Sequence, residues 1–251
     1  MKALVVANWK MNPPTFREAK KLLETTRKAA DATEHVTLVV APPAIFLREL
    51  RARHKGKKIA FALQNASAEE SGAYTGEISL AQGADAGATY AIVGHAERRA
   101  MGESSDDTQK KVAAALAANM TPILCVGEAT RTASAEYFGV VKEQLRIGLA
   151  DISSSQLGSV IISYEPVWAI GGEKTMSPRD MHEMAIFIRK TVVELHGEKG
   201  MGVKIIYGGA ATESNAANML RDGDVDGLLV GHVSVDAPRF AALLQAIEDA
   251  T

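Results

Sequence analysis

Short apolar runs recur along the chain: Leu4 to Ala7, Val36 to Ala41, Ile59 to Leu63, Tyr90 to Val93, Pro122 to Val126, Val160 to Tyr164, Val203 to Tyr207 and Gly227 to Val230. The run Val160 to Tyr164 is β-branched and almost wholly apolar, which is how a strand buried on both faces reads. Between the runs lie segments with helical spacing: Phe16 to Ala30, Thr108 to Ala118, Tyr137 to Leu149, Arg179 to His196 and Ser214 to Leu220. Strand and helix therefore alternate at intervals of roughly 25 to 40 residues, which predicts a parallel sheet. Neither a GxGxxG turn nor a phosphate-binding P-loop follows the first run, so an open doubly wound sheet fits less well than a closed one. The expected fold is α/β, a (β/α)8 TIM barrel, and no linker or low-complexity stretch divides it, so one domain is expected over residues 1–251. Ser177, with Pro178 in the first turn, predicts a helix start; Thr212 or Ser214 predicts the next and Ser234 the last. In such a barrel, strand ends and helix N-termini share one face, where backbone N–H groups favour an anion.

Composition narrows the partners. The chain has 251 residues, 47% of them hydrophobic, with 28 Lys plus Arg against 30 Asp plus Glu, a formal charge of −2. The basic residues are scattered, which argues against nucleic acid or an anionic membrane as partner. The one cysteine, Cys125, leaves no intrachain disulfide to form and suits a reducing compartment. The apolar start, Ala3 to Ala7, is short for a signal sequence, and no apolar run is long enough to span a bilayer. A soluble, cytoplasmic protein is expected. The six histidines are dispersed, with no HxxxH or CxxC spacing and no GxSxG elbow, so neither a metal nor a serine nucleophile is expected.

Candidate chemistry lies where the runs end. Glu165 closes the run at 160–164 and is followed by Pro166-Val167-Trp168-Ala169-Ile170-Gly171-Gly172, a loop with a stiff start, apolar side chains and a soft middle. Trp168 and Ile170 need something to close over, and a carboxylate stripped of part of its water is a better proton acceptor. Asn8 and Lys10 flank Trp9 after the first run, and a period of two puts them on the same side. A lysine facing the mouth could neutralise a phosphate or an oxyanion. His95 stands where the fourth run gives way to a helix, whose N-terminal dipole favours a neutral ring able to donate a hydrogen bond. Glu97 and Arg98 read as supporting charges or as a surface ion pair. Gly208-Gly209 and Gly231 bring bare backbone to the mouth after the last two strands, where barrels commonly hold phosphate. A long polar loop, Gln64 to Glu77, reads as a surface for a second subunit.

Taken in order, the segments Asn8-Trp9-Lys10-Met11-Asn12, Gly94-His95-Ala96-Glu97-Arg98-Arg99, Cys125-Val126-Gly127-Glu128, Tyr164-Glu165-Pro166-Val167-Trp168-Ala169-Ile170-Gly171 and Tyr207-Gly208-Gly209 resemble the triosephosphate isomerase family. The resemblance implies a cofactor-free homodimer interconverting dihydroxyacetone phosphate and glyceraldehyde 3-phosphate. It implies Glu165 as the base, neutral His95 as the proton shuttle between the two oxygens, Lys10 and Asn8 as stabilisers of the enediolate, and Glu97 in support. Residues 166–176 would form a lid gripping phosphate through the Gly171 N–H, with Ala210, Gly231 and His232 completing the cradle. Thr75, in the loop 65–77, would reach towards the partner subunit. The chain departs from the family pattern at Gly172-Glu173 in the lid, at Ala210 and Ala96 where Ser is usual, and at His232 where Gly is usual. Two alternatives stay open: an isomerase of another small sugar phosphate, and a phosphate-binding barrel without activity.

Overall fold

The computed structural model describes residues 2–54, 56–131, 134–170 and 175–250. The eight apolar runs form eight parallel strands: β1 (Ala3–Asn8), β2 (Val36–Ala41), β3 (Ile59–Leu63), β4 (Tyr90–Val93), β5 (Thr121–Val126), β6 (Ile161–Tyr164), β7 (Lys204–Tyr207) and β8 (Gly227–Val230). Each pairs with its sequence neighbours, and β1 pairs with β8 in the register Leu4↔Gly227, closing the barrel. The outer helices are α1 (Phe16–Asp31), α2 (Ala44–Arg53), α3 (Leu80–Asp85), α4 (Ala96–Ala100), α5 (Ser105–Ala117), α6 (Tyr137–Gly148), α7 (Pro178–His196), α8 (Ala216–Asp222) and α9 (Ala237–Glu248).

Both faces of the strands are buried because each faces a different core. Leu4, Val6, Val39, Ala41, Ala62, Ile92, Ile123, Cys125, Ile161, Ile206 and Leu229 pack together inside the barrel. Ala3, Val5, Ala7, Leu38, Val40, Leu124, Ile162, Ile205 and Leu228 point outward and pack with the helices. This strict parity explains the absence of polar alternation in the sequence. Carried beyond the strand ends, the inward parity reaches Asn8, Gln64, Glu165, Gly208 and Gly231.

Helix starts agree with the sequence in one place and differ in two. The Ser177 hydroxyl accepts from the Asp180 N–H at 3.1 Å, with Pro178 opening α7. Neither Thr212 nor Ser214 caps α8; Asn215 stands at its start, and its Oδ1 accepts from the Thr212 N–H instead. α9 is capped by Asp236, because Ser234 is turned inward and its hydroxyl donates to the carbonyls of Asn8 and Gly231. A buried hydroxyl takes the nearest carbonyl, and the cap passes to the next acceptor along the chain.

Candidate active site

At the carboxyl ends of the strands a cavity of about 430 Å³ opens between β1, β4, β7 and β8, with Asn8, Lys10, His95, Gly209, Ala210, Gly231 and His232 among its lining residues. The expectation that period-two geometry places Lys10 beside Asn8 needs correction, since β1 ends at Asn8 and Lys10 has a φ of 52°. That left-handed conformation is uncommon outside glycine and is held by two hydrogen bonds. The Lys10 N–H donates to Asn8 Oδ1 at 3.0 Å, and Gln64 Nε2 donates to the Lys10 carbonyl at 2.8 Å. The parity of β1 brings Asn8 to the cavity, and a turn beyond the strand end brings Lys10.

Lys10 Nζ donates to Glu97 Oε1 at 2.5 Å. Glu97 is thus the counter-ion of Lys10, and with half of its side chain exposed the pair adds little stability. His95 occupies the N-cap position of α4, and its Nδ1 accepts from the Glu97 N–H at 3.2 Å. A backbone N–H can only donate, so the Nδ1 carries no proton, and a neutral ring keeps its hydrogen on Nε2. That nitrogen points towards Glu165, 3.8 Å from Oε1.

Glu165 is 1% exposed, and its Oε2 accepts from the Ala96 N–H at 2.8 Å while Oε1 has no hydrogen-bond partner among the described residues. It stands just behind the cavity wall, above Ser163 and Cys125. A Cβ at Gly127 would fall on the Glu165 carbonyl oxygen, and one at Gly208 would come within 2.7 Å of Glu165 Cγ. Glycine at 127 leaves room for the Glu165 backbone and glycine at 208 for its side chain.

The turn that follows Glu165 is tied down by a residue quoted in the sequence motifs without a role. Glu128 accepts from the Tyr164 hydroxyl at 2.8 Å and from Trp168 Nε1 at 2.8 Å, and its carbonyl accepts from the Val167 N–H at 3.1 Å. The Arg131 guanidinium stacks 4.5 Å from the Tyr137 ring centroid and 5.6 Å from that of Trp168. Burial and the Glu128 charge push the Tyr164 phenol up, so it stays a donor. The sequence signal was present: Glu128 follows a buried strand as Glu165 does. Val167–Ala169 form a short 3₁₀ turn and Met176 is buried. Gly171, Gly172 and Glu173 lie outside the described residues, and with them the expected lid contact to phosphate.

Ala210, Gly231 and His232 come together on the far side of the cavity, beside Lys10. Arg239, unremarked in the sequence, also reaches this wall and forms a two-pronged pair with Glu213 at 3.0 and 3.1 Å. The Asn65 to Glu77 loop is closed at its base by pairing of Ser67 with Ser79, and Thr75 is exposed at its tip. Among the described residues, no three His, Cys, Asp or Glu side chains are grouped to hold a metal ion. No helix among them is long and apolar enough to cross a membrane.

Comparison with known proteins agrees with this geometry. A model of the triosephosphate isomerase family matches residues 3–247. Triosephosphate isomerase of Endomicrobium trichonymphae is 40% identical over 246 residues, covering 97% of this chain and 98% of that protein. The enzymes of the same name from Lactococcus lactis subsp. lactis and Caldanaerobacter subterraneus subsp. tengcongensis are 37% and 38% identical, over 97% and 96% of this chain and 98% of each relative. By fold, site and relatives together, the chain belongs to the triosephosphate isomerase family and is an enzyme of the isomerase kind.

Proposed function

We propose that the chain, acting as one domain, interconverts dihydroxyacetone phosphate and D-glyceraldehyde 3-phosphate through an enediolate, with Glu165 as base. The observation that carries this reading is the unpartnered Glu165 Oε1 lying 3.8 Å from His95 Nε2, at the edge of a cavity holding Lys10. On substrate binding Glu165 leaves the Ala96 N–H and takes a proton from the carbon beside the carbonyl. The pair of electrons released becomes the enediolate, whose oxygen receives a hydrogen bond from His95 Nε2 and charge compensation from Lys10 and Asn8. His95 moves protons between the two oxygens, and Glu165 returns its proton to the neighbouring carbon. Glu97 orients Lys10. Backbone N–H groups at Gly171, Ala210, Gly231 and His232 bind the phosphate, and the lid excludes water from the intermediate.

The test is a coupled assay on glyceraldehyde 3-phosphate. Glu165→Gln keeps the shape and removes the base, so kcat falls by about 10²- to 10⁴-fold or more while KM changes little. Undiminished turnover by that variant would overturn the assignment. Comparing three- and four-carbon sugar phosphates in the same assay checks the substrate length.

The chain is further proposed to work as a homodimer through the loop 65–77. Met11, Ile45, Tyr74 and Met101 stand exposed on or just after the four loops that follow β1 to β4, with Met11 92%, Ile45 84% and Met101 70% accessible. Large apolar side chains so exposed on neighbouring loops suit an interface with a second copy.

A further inference from the structure

Ser163 is a polar side chain in the apolar interior of the barrel. It follows the inward parity of Ile161 in β6, is fully buried, and lies in register with Cys125 of β5 and Ile206 of β7, both members of the inner core. Its hydroxyl has no hydrogen-bond partner among the described residues, and the Cys125 thiol beside it is a weak acceptor. A hydroxyl buried in this way costs stability in the resting fold.

Two residues on and with the same parity, Glu165 leaves Oε1 equally unpartnered. Between the two side chains lies the space that Gly208 leaves empty. A Cβ there would fall 2.6 Å from Ser163 Oγ, 2.7 Å from Glu165 Cγ and 3.4 Å from Glu165 Oε1. Gly208 also lines the catalytic cavity. A carboxylate that leaves the Ala96 N–H for the cavity therefore turns through a space that the Ser163 hydroxyl borders.

We infer that Ser163 is a positioning residue for the base: its hydroxyl donates to Glu165 Oε1 once the carboxylate has turned to the substrate, which leaves Oε2 free to take the proton. A carboxylate is a stronger acceptor than a thiol or a neutral oxygen, so the hydroxyl gains its partner only in the reacting arrangement. A bond made only there acts on turnover and leaves substrate binding unchanged. The inference rests on Glu165 being the base.

The experiment compares Ser163→Ala with the natural protein in the assay on glyceraldehyde 3-phosphate and in urea unfolding, and repeats the substitution in a Glu165→Gln background. Loss of the hydroxyl should lower kcat by roughly 10- to 100-fold and leave KM within about twofold. The urea midpoint should stay in place or rise, because the resting fold loses only a hydroxyl without a strong partner. With Glu165→Gln already present, Ser163→Ala should slow turnover no further, since the hydroxyl acts through that carboxylate. A kcat within twofold of the natural value overturns the inference while the loss of activity in Glu165→Gln upholds the base. A fall in kcat that recurs in the Glu165→Gln background, or that comes with a lower urea midpoint, assigns Ser163 to the fold and overturns it as well. Undiminished turnover by Glu165→Gln removes the base and the inference together.

Discussion

Ala210 and His232 shape the wall of the cavity where the proposed reaction places the substrate's phosphate. Ala210→Ser restores a hydroxyl that can donate within the closed site, worth about 0.5–1.5 kcal/mol, so KM should fall by roughly 2- to 10-fold with kcat near normal. His232→Gly removes a ring able to donate to phosphate and should raise KM over a similar range. Steady-state kinetics on both variants check this, and a KM indifferent to both would remove position-specific weight from these departures. Cys125 makes a different prediction. Burial, aided by the neighbouring Glu165 carboxylate, pushes its thiol well above the ordinary range, against weaker opposition from Arg99 and Ser163. The folded value lies above the unfolded one, near about 8.5, so the contribution to stability is fully present below that pH and lost as pH rises beyond it. The slope is up to about 1.4 kcal/mol per pH unit. Urea unfolding between pH 8 and 10 should show this fall in the natural protein and a shallower one in Cys125→Ala, and a thiol reagent at pH 8 should label only the unfolded chain.

At the scale of elements, the turn beyond Glu165 is held by a residue that follows the neighbouring strand β5. Glu128 follows β5 with its side chain buried and receives two hydrogen bonds, from Tyr164 in β6 and from Trp168 in the turn beyond Glu165. These join two adjacent strand ends to the segment that leads into the lid. Glu128→Gln keeps the volume but removes the charge that both donors serve and that Arg131 faces at 3.6 Å. Hydrogen bonds to a buried charge contribute about 1.5–3 kcal/mol, so a loss of about 2 kcal/mol is expected in urea unfolding. Because the same bonds orient Trp168, kcat should change as well; unchanged stability and kcat together would mean that the cluster is idle. The helix caps teach the same lesson in reverse. Ser234 has the right residue type to start α9, yet its hydroxyl is drawn to the carbonyls of Gly231 and of Asn8 on the neighbouring β1, and Asp236 caps instead.

For the whole molecule, closure of the barrel gathers chemistry from widely separated segments. Lys10, His95 and Glu165 follow the ends of β1, β4 and β6 and meet because parallel strands in order place every carboxyl end on one rim. The same closure sets Met11, Ile45, Tyr74 and Met101 close after the ends of successive strands, which is the basis for expecting a dimer. Sedimentation should find the natural protein dimeric at micromolar concentration and Met101→Lys shifted towards monomer, with activity per chain falling on dilution. A monomeric natural protein with full activity would contradict this.

Strand positions, barrel class and the site motifs were legible in the sequence because they rest on local pattern: four of the eight predicted strands match the observed bounds, and the rest differ by a residue at one or both ends. Asn8, Lys10, His95, Glu97 and Gly231 could be named because they follow apolar runs, Ala210 and His232 only through the family resemblance, and all but Glu97 line the cavity. Partnership was not legible. That Glu97 answers Lys10, that His95 accepts from the Glu97 N–H, that Lys10 turns through a positive φ, and that Arg239 shares the cavity with Ala210 depend on contacts between residues distant in the chain or on local backbone geometry. Hydrophobic period records which face of an element is buried, and the run of apolar residues records that both are. Which polar groups then find one another is decided by barrel closure, where the desolvation of each donor and acceptor selects its partner.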